Sequence, residues 1–109
     1  MIVRLWRGWT APGSADAYEQ LIRSTIFPNI RDRGIDGLLR LDLYRRAGEA
    51  ETEFMTLMWF VDHDAVVRFA GPDWERAVVP PAARALLSRF DEKAAHYDSR
   101  VATEPAPHV

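Results

Sequence analysis

Residues 51–61, ETEFMTLMWFV, constrain the fold more than any other part of the chain. Side chains of a strand alternate between two faces, which here puts Phe54, Thr56, Met58 and Phe60 on one side and Met55, Leu57, Trp59 and Val61 on the other. Both sides are apolar, so this strand belongs inside a sheet with cover on each face. A helix follows at once. Asp62 or Asp64 caps it, Ala65, Val66 and Phe69 form its buried stripe, and Gly71-Pro72 stops it.

The rest of the chain can be arranged around that strand. Residues 2–10 alternate as a first strand, Ile2, Arg4, Trp6 and Gly8 opposing Val3, Leu5, Arg7 and Trp9. Residues 11–13 turn, Ser14 is a good N-cap, and Tyr18, Leu21, Ile22, Thr25 and Ile26 follow helical spacing. Pro28 lacks an amide hydrogen and clashes one turn back, which predicts a kink or break before Gly34 ends the helix. Residues 37–46 predict a second strand, with Leu39, Leu41 and Leu43 facing one way and Leu38, Arg40, Asp42 and Tyr44 the other. Beyond the Gly71-Pro72 stop, Asp73 predicts a short helix holding Trp74, Ala77 and Val78. Pro81 opens a last helix through Arg89, and residues 90–101 predict a fourth strand. The order β-α-β-β-α-β implies an α+β, ferredoxin-like domain over residues 1–101: a four-stranded antiparallel sheet with helices on one face. Residues 102–109 predict a flexible C-terminal tail.

Helices on one face leave the other face of the sheet bare. Leu39, Leu41, Leu43, Met55, Leu57 and Trp59 are expected there, an apolar patch too large to leave in water. A homodimer packed sheet to sheet covers it; the alternative, cover by the chain's own tail, requires more apolar residues than the tail has. Composition excludes other classes. A net charge of −2 with 13 scattered arginines and one lysine gives nucleic acid no basic patch. With no cysteine there is no disulfide, thiolate metal site or cysteine nucleophile. His63, His96 and His108 have no metal-ligand spacing, so no metal is expected. The opening MIVRLWRGW has charges inside its apolar run, unlike a signal peptide, and no run is long enough to cross a membrane. A cytoplasmic location is therefore expected.

The stretches WFVDHDAVVRFAGPDWERAVVPPAARALLSRFD and AAHYDSRV, with the first strand and its Pro-Gly turn, resemble the antibiotic biosynthesis monooxygenase (ABM) superfamily of dimeric α+β barrels. The resemblance spans residues 1 to about 101. It implies a pocket between helices and sheet in which a small quinol, anthrone or polyketide-like aromatic is oxidised by O2 without metal, haem or flavin. On this reading His96 is the proton acceptor, Arg4 or Arg40 stabilises the anion, and Trp6, Tyr18, Met58, Phe60, Phe69 and Trp74 form the walls, Trp74 as part of a lid. Each role has a plainer counterpart. His96 can be a core histidine with one hydrogen bond, Arg4 and Arg40 can pair with Asp42 or another acid, and Phe60 and Phe69 can be ordinary core. His63, between Asp62 and Asp64, reads as a surface histidine. A Ser88–His96–Asp98 triad lacks a nucleophile elbow. A haem-degrading branch of the family uses Asn, Trp and His at positions that look like Trp6, Phe60 and Phe69 here, and none matches; the one asparagine, Asn29, lies elsewhere. A dimeric small-ligand-binding protein without oxygenase activity is the alternative function.

Overall fold

The computed structural model describes residues 1–106. His108 lies outside the described residues. Strand β1 (Ile2–Thr10) leads through a 3-10 turn (Pro12–Ser14) into helix α1 (Ala15–Leu21), a π-helical turn (Ile22–Ile26) and helix α2 (Phe27–Asp32). Strands β2 (Leu38–Ala47) and β3 (Thr52–Phe60) form a hairpin, followed by helices α3 (His63–Ala70) and α4 (Pro81–Leu86) and short strands β4 (Arg89–Phe90) and β5 (Ala95–Asp98). The sheet is antiparallel, in the order β2-β3-β1-β4, and β5 pairs with β1 beside β4. This is the expected α+β, ferredoxin-like arrangement, with its fourth strand split in two. No helix among the described residues is long and apolar enough to cross a membrane.

The split has a visible cause. Between β4 and β5 the chain leaves β1 and pairs instead with the loop after α3. The Ala77 amide donates to the Glu92 carbonyl, and the Ala94 amide donates to the Glu75 carbonyl, each at 2.8 Å. Arg76 and Lys93 form an isolated antiparallel bridge between the two segments. The helix expected around Trp74 and Ala77 is absent, because that segment spends its backbone groups on this pairing.

Register assigns the faces, since residues directly opposite each other in a sheet share a side. Arg4 faces Met58, Trp6 faces Thr56, and His96 faces Arg4, all beneath the helices. Val3, Leu5, Leu57, Trp59 and Tyr97 lie on the open side. Strand β2 corrects the sequence reading. Leu41 pairs with Met58 and Leu43 with Thr56, so both leucines pack on the helix side against the core rather than on the open face. The open side of β2 carries Arg40 and Asp42 instead; burying them under helices would have cost far more than burying two leucines. A bulge between Leu38 and Arg40 turns Leu38 inward as well and leaves Leu39 exposed.

The core consists of two clusters. Ala15, Tyr18 and Ile22 pack on Phe54 and Ala83 at one end of the sheet. Met58, Phe60, Ala65, Val66 and Phe69 pack together at the other. Asp62 caps α3 through a 3.0 Å bond from the Ala65 amide, and Gly71 ends it at φ 86°, a conformation that favours glycine.

Candidate functional site

The two core clusters do not close on each other. Between them lies a cavity of about 60 Å³. Arg4, Trp6, Thr56 and Met58 form its floor on β1 and β3. Tyr18, Ile22, Ile26 and Phe27 come from the first helical segment, Phe69 from α3, and Val78–Pro80 from the loop before α4. Thr56 is the smallest of the inward residues from Phe54 to Phe60, and the space above it is where a larger side chain would have joined the clusters. A second hollow of about 210 Å³ adjoins it, sharing Ile26, Ile30, Phe69, Val78 and Pro80, with Asn29 and Arg33 at its rim.

Arg4 dominates the electrostatics. It is only 3% exposed, yet no carboxylate lies within ion-pair distance among the described residues. Neutral partners hold it: Nη1 donates to the Trp74 carbonyl and to His96 Nε2 (3.1 Å), and Nη2 donates to the Arg76 carbonyl at 2.9 Å. Its guanidinium also stands 5.4 Å from the centre of the Phe69 ring, and the Arg33 guanidinium stands 5.4 Å from the same ring. Burial lowers the Arg4 pKa to about 10, which leaves it charged at neutral pH.

His96 does not line the cavity. A guanidinium can only donate, so Nε2 must be the accepting nitrogen and the ring proton sits on Nδ1. Burial, then the charge of Arg4, push the His96 pKa down to about 4. The imidazole is therefore neutral, with its free lone pair already engaged. It supports Arg4 rather than facing a ligand.

The other expected site residues divide. Trp6, Tyr18, Met58 and Phe69 line the cavity. Trp6 is fixed by a 2.7 Å bond from its indole nitrogen to the Asp91 carbonyl. The Tyr18 hydroxyl has no hydrogen-bond partner among the described residues, and burial raises its pKa to about 12. Phe60 is fully buried core, packed on Phe69 at 6.1 Å, and does not reach the cavity. Trp74 does not reach it either; its ring stands edge-on between His63 (4.6 Å) and His96 (5.0 Å), and its carbonyl grips Arg4. Arg40 is on the opposite face of the sheet, paired with Asp42 at 2.8 Å over the Trp59 ring, because strand alternation turns it away from Leu41. The single Ser88 hydroxyl hydrogen is shared between Glu51 at 2.7 Å and the Trp9 carbonyl at 3.0 Å, far from any triad. Sequence reasoning did not single out Ile26, Phe27, Ile30 or Val78–Pro80. The first three lie on one helical face with Ile22, a visible signal. The loop residues had none.

Among the described residues no cluster of three histidine, cysteine or acidic side chains is placed to hold a metal ion. The cavity offers instead one cation, one tyrosine hydroxyl, one threonine hydroxyl and apolar walls. It can hold a small apolar molecule and stabilise negative charge on it.

No family model matches the chain, and no curated protein matches it significantly. Solved structures do match in shape. A Bacillus cereus protein provisionally described as an antibiotic biosynthesis monooxygenase superposes with a TM-score of 0.63 at 10% identity, covering 98% of each chain. Rv0793 from Mycobacterium tuberculosis gives 0.57 at 20% identity, over 94% of this chain and 98% of that one. SnoaB, a cofactor-independent oxygenase from Streptomyces nogalater, gives 0.54 at 19% identity over 98% of each. The architecture of the chain is thus that of the antibiotic biosynthesis monooxygenase-type proteins.

Proposed function

We propose that the protein is a member of the antibiotic biosynthesis monooxygenase superfamily that oxygenates a small aromatic with O2. The observation that carries this reading is the placement of a buried, carboxylate-free arginine on the floor of an otherwise apolar cavity, in a fold shared with a cofactor-independent oxygenase. For an anthrone the chemistry balances without further reagents. The anthrone CH2 gives its proton to solvent before the molecule enters, and the oxygen of the resulting anion rests against Arg4. The anion gives its electrons to O2, a carbon–oxygen bond forms, and the peroxide takes a proton back from solvent and loses water to leave a carbonyl. One oxygen atom ends in the quinone and the other in water. The walls orient the ring and exclude solvent, and Arg4 stabilises the charge while O2 reacts. His96 acts as a positioning residue for Arg4.

A dimer through the open sheet face belongs to the same proposal. Val3, Leu5, Met55, Leu57 and Trp59 are the apolar residues it would cover.

Oxygen uptake with a panel of anthrones and quinols tests the reaction. Turnover above the spontaneous rate that Arg4→Lys cuts by at least tenfold supports it; no turnover with any of them rejects it. A second reading, a small-ligand-binding protein without oxygenase activity, is favoured by one observation: His96 is capped by Arg4, and no carboxylate or histidine lines the cavity to act as base. Tight binding of a member of the panel with no oxygen uptake selects that reading.

A further inference from the structure

Arg4 is a buried cation without a counter-ion, and its donors are only partly used. A guanidinium has five N–H bonds in one plane. Three are taken by the Trp74 carbonyl, His96 and the Arg76 carbonyl. The two that remain are on Nε and Nη2, neighbouring nitrogens of the kind that take a pair of oxygens together. We infer that the ligand of this cavity is a monoanion with two acceptor oxygens, a carboxylate or the enolate of a 1,3-dicarbonyl, which enters already ionised and provides the counter-ion that the fold leaves out.

The surroundings of Arg4 argue for an ion formed before binding. Facing it are His96 on β5, whose accepting nitrogen is occupied, and Tyr18 on α1 across the cavity, a neutral hydroxyl that can donate but not take a proton at neutral pH. Arg33, 5.4 Å from the centre of the same Phe69 ring, adds positive charge. His63 and Glu75 act on His96, and neither lines the cavity. Nothing lining the cavity can take a proton from a ligand, so an ordinary phenol would have to enter neutral and stay so. The inner space of about 60 Å³ has room for the charged head of a ligand, and a ring would extend past Phe69 into the adjoining 210 Å³ hollow. The inference rests on the cavity being the ligand site but not on the oxygenase reaction.

The test is calorimetric titration of the full chain under argon with benzoate, benzamide and the open-chain 1,3-diketone 1,1,1-trifluoro-2,4-pentanedione, whose enolate can set both oxygens on one side. Both anions are expected to bind with dissociation constants below about 1 mM, and the neutral amide at least tenfold more weakly; the tighter anion identifies the acceptor class. Affinity is expected to fall tenfold per pH unit below the ligand's own pKa, and the inflection to move when a ligand of different acidity is used. Arg4→Lys keeps the charge but loses the paired donors, and should weaken both anions about tenfold. Equal binding of benzoate and benzamide, an inflection fixed at one pH for every ligand, or no binding of either anion below about 1 mM overturns the inference. Oxygen uptake, measured separately, fails or succeeds independently of these anaerobic results.

Discussion

At the scale of the residue, the pair Arg4–His96 explains why a buried charge is tolerated without an acid beside it. Two carbonyls, a neutral imidazole and an aromatic face replace the water that Arg4 gives up. The arrangement has a signature in acid. His96 titrates near 6.5 when unfolded but only near 4 when folded, so between those values the unfolded chain binds more protons. Its contribution to stability is complete above about pH 6.5 and is lost as pH falls towards 4. His96→Gln keeps an acceptor for Arg4 but cannot titrate. Urea unfolding from pH 7 to 4 should show a shallower loss of stability in this variant than in the parent, and identical slopes would remove His96 from the account. Thr10 offers a second residue-level check. It is fully buried, and its hydroxyl has no partner among the described residues. Thr10→Val, nearly the same shape, should raise stability by about 1 kcal/mol in the same assay.

At the scale of the element, the π-helical turn shapes the cavity. The Phe27 amide bonds to the Ile22 carbonyl five residues back, and Pro28 beyond it has no amide to continue the ordinary ladder. The widened turn presents Ile22, Ile26 and Phe27 to the same space. Deleting Ser24, which is exposed and lines no part of the cavity, should restore an ordinary α-turn while leaving α2 in phase. Helix content by circular dichroism should hold, and affinity for the cavity anion should fall about tenfold, roughly 1.4 kcal/mol; unchanged affinity would show that the turn does not set the shape. Pro28 announced a disturbance in the sequence, but not that it would fall a turn earlier and widen the helix. β3 was legible because a two-residue period survives any context. β2 was not: its leucines share one parity, which does not say which side the helices cover, and a bulge shifts Leu38 across. The Trp74–Pro80 loop was the least legible part. It acts through carbonyls, which every residue has, so Trp74 drew attention to its ring while its backbone did the holding.

At the scale of the whole molecule, two core clusters and a sheet with one open face summarise the design. Met55, Leu57 and Trp59 lie on the open face, where the parity of β3 puts them, and Arg4, Trp6, Tyr18, Met58 and Phe69, named from the sequence as site residues, line the cavity. His96 shares the helix-side face with Arg4, but its engagement with Arg4 depends on a β5–β1 register that no local pattern encodes. If the open face is a dimer interface, Leu57→Glu, a charge at the centre of the patch, should convert the sedimenting species from dimer to monomer in analytical ultracentrifugation; a parent that already sediments as a monomer would reject the proposed assembly. The split fourth strand carries a further consequence. The loop whose carbonyls hold Arg4 is fastened to the sheet through the Ala77–Glu92 and Ala94–Glu75 bonds. Its opening must therefore release the arginine, uncover one wall of the cavity and free those two amides in a single event. Solvent hydrogens should enter the Ala77 and Ala94 amides at a common rate, and an anion lodged against Arg4 should slow both by the same factor, turning two backbone positions outside the cavity into a clock for how long it stays shut.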